Sequence, residues 1–104
     1  SLFYYENGNL EAKYCLKNGQ FDGIQEMFYE NGNKKVQGFL QEGKPMGIAL
    51  IFRENGLLLF EIDYDKTMVK EFDEKGMVKT LNGNEASAII RMIIKGTQKL
   101  EYKE

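Results

Sequence analysis

Phe28-Tyr29-Glu30-Asn31-Gly32-Asn33 decides how this chain folds, because the same phrase is written along it four times. Tyr4-Tyr5-Glu6-Asn7-Gly8-Asn9 precedes it, Phe52-Arg53-Glu54-Asn55-Gly56 follows, and a worn copy stands at Phe72-Asp73-Glu74-Lys75-Gly76. Gly8, Gly32 and Gly56 are spaced by 24 residues, and Gly76 comes 20 after the last of them. A fixed period of this size marks a repeat architecture, in which each unit buries its apolar face mainly against its neighbours. Asn-Gly between β-rich apolar flanks is a strong hairpin signal. A type I′ turn needs φ > 0 at both central residues, which Asn tolerates and Gly adopts freely. Such turns are therefore predicted at Asn7-Gly8, Asn31-Gly32 and Asn55-Gly56.

A second turn series alternates with the first: Asn18-Gly19, Glu42-Gly43 and, in the shortened unit, Asp65-Lys66. Counting outward from the turns predicts an antiparallel meander with strands near 2–6, 10–17, 20–30, 34–41, 44–54, 57–64, 67–74 and 77–81. Two-residue loops would pair Tyr14 with Gly23, Gly38 with Gly47 and Ile62 with Val69, so that Gly23 and Gly47 fall in one cross-strand row. Glycine inside a strand marks a bulge or bend. Gly8, Gly19, Gly23, Gly32, Gly43, Gly47, Gly56 and Gly76 are accordingly the turn and bend positions of the repeat. The fold expected is mainly β: an elongated, twisted antiparallel meander of β-hairpin repeats over residues 1–83, followed by a C-terminal capping helix and tail over 84–104.

Strand alternation puts Ile24, Phe28, Ile48, Leu50, Phe52, Leu59, Met68 and Phe72 on one face. Phe21, Met27, Tyr29, Ala49, Ile51, Phe60, Ile62 and Val69 lie on the other, continued by Leu10, Ala12, Tyr14 and Leu16. The second face carries fewer charges and is expected to be the better covered. Its cover would be the segment after Asn84, a candidate N-cap, where Ala86, Ile89, Ile90, Ile93 and Ile94 recur at helical spacing. Gly96 and Thr97 are expected to weaken or end that helix, with Leu100 and Tyr102 in a last turn or short strand. The N-terminal edge has no comparable cap, which fits either a missing upstream segment or an edge that pairs with another chain, self-association included.

The composition is uninviting for catalysis. Among 104 residues there is no histidine and one cysteine, Cys15. A Ser-His-Asp or Cys-His constellation cannot be assembled, and Cys15 reads as a structural thiol on a strand. No metal site of the His or multi-Cys type can form. Glu61, Asp63 and Asp65 lack the spacing of a calcium loop and read as a solvated turn. The glycines sit in hairpin turns, not before a Lys-Ser/Thr phosphate cradle. The expected catalytic, cofactor and metal sets are therefore all none. A net charge of −2 with interleaved Lys and Glu argues against a nucleic-acid partner. The chain opens at Ser1-Leu2-Phe3, inside a repeat and without methionine, which reads as a fragment whose upstream part, with room for an export signal or lipid anchor, is missing. An intracellular location is the weakly favoured expectation.

The phrase aromatic-Tyr-Glu-Asn-Gly, then an apolar strand, then Asn-Gly-x-x-x-Gly, resembles the MORN repeat in its bacterial variant form. The match runs through Gly8, Gly19 and Gly23 and again through Gly32, Gly43 and Gly47, over about residues 3–81. Arg53, where tyrosine is usual, and Lys75, in place of Asn, depart from the pattern. The resemblance implies a curved hairpin sheet used in protein–protein and sometimes membrane contacts, with an antitoxin-like label common among bacterial members. The expected function is a non-catalytic module that binds an unknown protein partner, ahead of an antitoxin-like neutraliser and a membrane- or phosphoinositide-associating module. Tyr5, Tyr29, Phe28, Phe52 and Phe72 are the candidate partner surface, with Lys35, Glu61 and Lys70 flanking the phenylalanines.

Overall fold

The computed structural model describes residues 1–101, with side chains through Gly96. Eight strands follow one another: β1 (Leu2–Tyr4), β2 (Leu10–Lys17), β3 (Gln20–Phe28), β4 (Lys34–Gln41), β5 (Lys44–Phe52), β6 (Leu58–Asp63), β7 (Met68–Phe72) and β8 (Val78–Leu81). A helix, α1 (Gly83–Glu101), follows β8. Each strand pairs antiparallel with the next, in the order β1 to β8, and the whole measures 35 × 30 × 18 Å. This is the meander with one terminal helix that the period predicts. The helix runs through Gly96 and Thr97, where an end was expected, and takes in Leu100. The final-strand expectation at Tyr102 lies outside the described residues.

The two turn series differ in kind, which corrects the expectation of type I′ turns at the first. At Asn31-Gly32 the Tyr29 N–H donates to the Asn33 carbonyl at 2.8 Å and the Gly32 N–H to the Tyr29 carbonyl at 2.9 Å. Gly32 takes φ 93°, while Asn31 is not among the residues with positive φ. The turn is thus an ordinary four-residue turn closed by one left-handed glycine, the three-residue hairpin loop. Asn31 serves through its side chain, Oδ1 accepting the Asn33 N–H at 2.9 Å. Asn7 and Asn55 do the same, and Asp73 does so in the worn copy. The strands stop short of residues 30 and 54 because Tyr29 and Arg53 already belong to these loops. Left-handed pairs occur in the second series, at Asn18-Gly19 (52° and 79°) and Glu42-Gly43 (52° and 80°).

Two classes of bulge set the register. Leu16 pairs with Phe21 but Tyr14 pairs with Gln25, not with Gly23 as the loop arithmetic predicts. Phe39 pairs with Met46 and Gln37 with Leu50, so the expected Gly38–Gly47 pair is absent as well. In each case one strand gains two residues, Gly23-Ile24 or Gly47-Ile48, around a left-handed glycine (φ 98° and 67°). A shift of two preserves side-chain parity, so these bulges leave the predicted faces in place although the pairs change; Leu59 is an exception, expected on the open face but packed against the core. Ile62–Val69, with no bulge beside it, pairs as predicted. The second class sits beside the first turn series. Met27 pairs with Val36 and Phe28 with Lys34, leaving Lys35 unmatched; Leu59 is left over in the same way one period later.

The covered face holds the core: Ala12, Tyr14, Met27, Val36, Leu40, Ala49, Ile51, Phe60, Ile62, Val69 and Leu81, joined by Ala86 from the helix. Ile89, Ile90 and Ile93 pack against it. Near its far end α1 meets Met27, Val36 and Ile51 across a cavity of about 110 Å³, with Met92 and Ile93 on the helix side. Gln25, buried, donates from Nε2 to the Tyr14 hydroxyl at 3.3 Å. The Tyr14 ring stacks on Phe21 at 4.4 Å and meets Phe3 edge-on at 5.8 Å.

Candidate interaction surface

The repeated phrase turns out to be a joint between repeats. The Tyr5 hydroxyl donates to the Phe28 carbonyl at 2.5 Å, and one period later Tyr29 donates to the Phe52 carbonyl at 2.5 Å. At the third joint Arg53 takes the tyrosine's place, its Nη2 donating to the Phe72 carbonyl at 3.1 Å. The departure noted in sequence therefore keeps the function of the position, with a guanidinium in place of a phenol. Asparagines reinforce the joints. Asn9 Nδ2 donates to the Glu30 carbonyl and Asn33 Nδ2 to the Glu54 carbonyl, both at 2.7 Å. Asn31 Nδ2 also reaches the Glu54 carbonyl, at 3.0 Å. Neither Asn9 nor Asn33 was singled out in sequence. The signal was present, because both recur at the same offset from the turn glycine.

Tyr5 and Tyr29 thus have their hydroxyls committed within the chain, and their half-exposed rings border the joints. Burial pushes the Tyr5 phenol above its ordinary value, helped by the Glu11 and Glu30 carboxylates. Tyr29 is raised by burial and then by Glu54, with Arg53 opposing, and Tyr64 is raised by burial. A raised value in the folded chain means that the fold holds protons the unfolded chain loses near pH 10. The contribution is complete below that pH and is lost as pH climbs through the folded values. The melting temperature is expected to stay level to about pH 9.5 and then fall, in step with phenolate absorbance, and less steeply in Tyr29→Phe. A melting temperature unchanged at pH 11 would contradict the placement of these phenols.

Phe28, Phe52 and Phe72 lie half-buried on the face away from α1, at the strand ends whose carbonyls the joints use. The larger exposed apolar area of that face is supplied by other residues. Ile24 (48% exposed), Phe39 (52%) and Ile48 (49%) stand together, with Met46 beside them. Ile24 faces Phe39 directly across the β3–β4 pair, and Phe39 faces Met46 across β4–β5. Ile24 and Ile48 are the two bulge residues, so the same feature that bends the strands presents these side chains. They wall a shallow groove of about 190 Å³ with Gln37, Gly38, Phe39 and Leu50. Gly38 is part of its floor, and a Cβ there would come within 3.3 Å of the Ala49 Cβ.

Charges of both signs rim the groove. On one side Lys34 Nζ pairs with Glu26 at 3.1 Å and donates to Gln37 Oε1 at 2.9 Å. On the other, Ile48 opens into a second depression with Glu61, Asp63, Lys66, Met68 and Lys70. Glu61 and Lys70 thus border this second depression beside Ile48. Lys35 does not. As the unmatched residue of its bulge it turns to the helix side, its Nζ 5.5 Å from the centre of the Tyr29 ring, and Lys34 takes its place. Asp63 Oδ1 accepts the N–H groups of Asp65 and Lys66, which makes that segment an ordinary capped turn. Cys15 is exposed, not packed as a structural thiol. Among the described residues no cluster of three or more metal-ligating side chains occurs, and no helix is long and apolar enough to cross a membrane.

With the 24-residue joints in view, comparison with known families is informative: residues 1–18 and 21–42 match the family described as MORN repeat variant. Residues 1–42 thus carry MORN-variant repeats. No curated protein and no solved structure matches it. MORN repeats are generally non-catalytic modules of protein or membrane interaction. The matched residues contain the first joint's donors and the second joint's Tyr29, Asn31 and Asn33, so the MORN phrase coincides with the side chains that lock unit to unit.

Proposed function

We propose that this chain is a non-catalytic repeat module that binds a partner protein over its open face. The observation that carries the reading is the cluster Ile24, Phe39 and Ile48, each about half exposed on a rigid, bulged sheet whose opposite face is occupied by α1. An exposed apolar patch rimmed by mixed charges is the usual anatomy of a protein-binding surface. Phe28, Phe52 and Phe72 extend the surface along the strand ends. Tyr5 and Tyr29 support it from behind by fixing the carbonyls of Phe28 and Phe52. The mixed rim favours a protein over an anionic membrane, which would call for a basic field. An antitoxin-like neutraliser is the narrower form of the same reading, in which the partner is toxic when expressed alone.

The test is a paired pull-down from the native source with the wild type and with Phe39→Glu/Ile48→Lys. Both sites are exposed, so each substitution is expected to change stability by no more than about 0.5 kcal/mol. Two exchanged anchors should weaken capture of the wild type's partner at least about tenfold. Equal capture by a variant with an unchanged melting temperature would remove the open face from the proposal.

A further inference from the structure

One row of side chains runs straight across the strands of the open face. Lys13 pairs with Glu26, Glu26 with Gln37, Gln37 with Leu50, Leu50 with Glu61 and Glu61 with Lys70. Their chain neighbours Ala12, Met27, Val36, Ala49, Ile62 and Val69 are buried in the core, which puts the whole row on the face away from α1. Along it the charges run plus, minus, neutral, neutral, minus, plus. Two residues along the strands in one direction stand Ile24, Phe39 and Ile48; two residues in the other stand Phe28, Phe52 and Phe72. At about 3.3 Å per residue, each apolar ridge lies about 7 Å from the row, and the two ridges about 13 Å apart. The charged row is thus the floor of a trough.

We infer, resting on the open-face reading, that this trough seats an amphipathic helix of the partner protein, laid across β2–β7. A helix with its side chains is about 10–12 Å wide and fits between ridges about 13 Å apart. A flat sheet would ride on the ridges and leave the charges uncovered. Helix positions taken alternately three and four residues apart recur about every 5 Å, close to the interval of about 4.8 Å between strands. This sheet already takes a helix across its strands on the other face, where α1 runs from β7 to Met27, Val36 and Ile51. From Lys13 to Lys70 the row spans about 24 Å, the length of about 16 helical residues. A second copy of this chain does not fit, because the charge order reads the same from both ends. Any two-fold axis that stacks row on row sets Lys over Lys and Glu over Glu, which opposes association. The partner helix instead carries acids at the ends of its stripe, facing Lys13 and Lys70, with bases inside them and apolar residues at the centre. Glu26 already holds Lys34 through Oε2 at 3.1 Å, so Glu61 and the two end lysines carry most of the discrimination.

The probes are two blocked, alanine-based helical peptides of about 20 residues. The first carries Glu, Lys, Leu, Leu, Lys and Glu in turn along a stripe of alternating three- and four-residue steps, with leucine on both flanks. The second has its Glu and Lys exchanged. At low salt the first is expected to bind the full chain at least about tenfold more tightly, with amide chemical-shift changes at Gln37, Leu50 and Glu61. The swap Glu61→Lys/Lys70→Glu keeps the cross-strand pair of opposite charges, and with it the melting temperature. In that variant the preference should vanish, because each peptide then meets like charges over half of its stripe. Equal binding of the two peptides by the wild type, binding of neither, or a preference that survives the swap would overturn the helix. Any of these results, alongside loss of the native partner in Phe39→Glu/Ile48→Lys, would leave the open-face reading standing. Undisturbed capture by Phe39→Glu/Ile48→Lys would remove the open face itself, whatever the peptides do.

Discussion

Ile62→Ala is expected to cost about 2–5 kcal/mol of unfolding free energy. Ile62 has no exposed surface and lies next to the end of β6, paired with Ala49 on one side and Val69 on the other, both themselves buried. Removing three carbons there loses their transfer free energy and leaves a void that neighbouring strands cannot close, since the hydrogen-bonded ladder fixes their spacing. A domain of this size has a net stability of about 5–15 kcal/mol. The variant should therefore unfold at a much lower urea concentration with the same slope. A loss below about 1 kcal/mol would mean that the covered face is not a packed core.

Gly32→Val is expected to cost about 1–3 kcal/mol by a different route. A Cβ at Gly32 would touch nothing within 4 Å, so no clash contributes; the cost lies in the backbone, held at φ 93°. A β-branched residue reaches that region at considerable strain. If the loop instead relaxed, the Asn33 carbonyl would leave the Tyr29 N–H, and with it the Asn33 amide would leave Glu54 in the next unit. Urea melts of the variant and wild type give the number directly, and coincident curves would refute the left-handed assignment.

The hairpin period was legible because turn chemistry is local. Gly32 and its equivalents announce themselves to anyone counting along the chain, and alternation then assigned Ile62 and Val69 to the core. Register was less legible. The arithmetic from Asn18-Gly19 assumed an unbroken ladder, whereas Gly23 and Gly47 each admit an extra pair of residues. Faces survived that error because two is the period of a strand. Lys35 did not survive its one-residue bulge, and it moved to the helix side. The type of the first turns was misjudged because Asn-Gly is compatible with two loop geometries. What separates them is the bond between Asn31 Oδ1 and the Asn33 N–H, which depends on how the strands leave the loop. The joints were the least legible part. Tyr5 and Phe28 are 23 residues apart, and pattern alone does not say that a hydroxyl bridges them.

The side-chain joints from each repeated phrase to the next constrain how such a chain can change length. Each unit hands its side chains to the carbonyls of its successor at a fixed offset, like overlapping roof tiles. Removing or adding a whole tile leaves every remaining overlap intact. The four residues missing between Gly56 and Gly76 shorten a unit without breaking its overlap, which Arg53 makes to the Phe72 carbonyl at 3.1 Å.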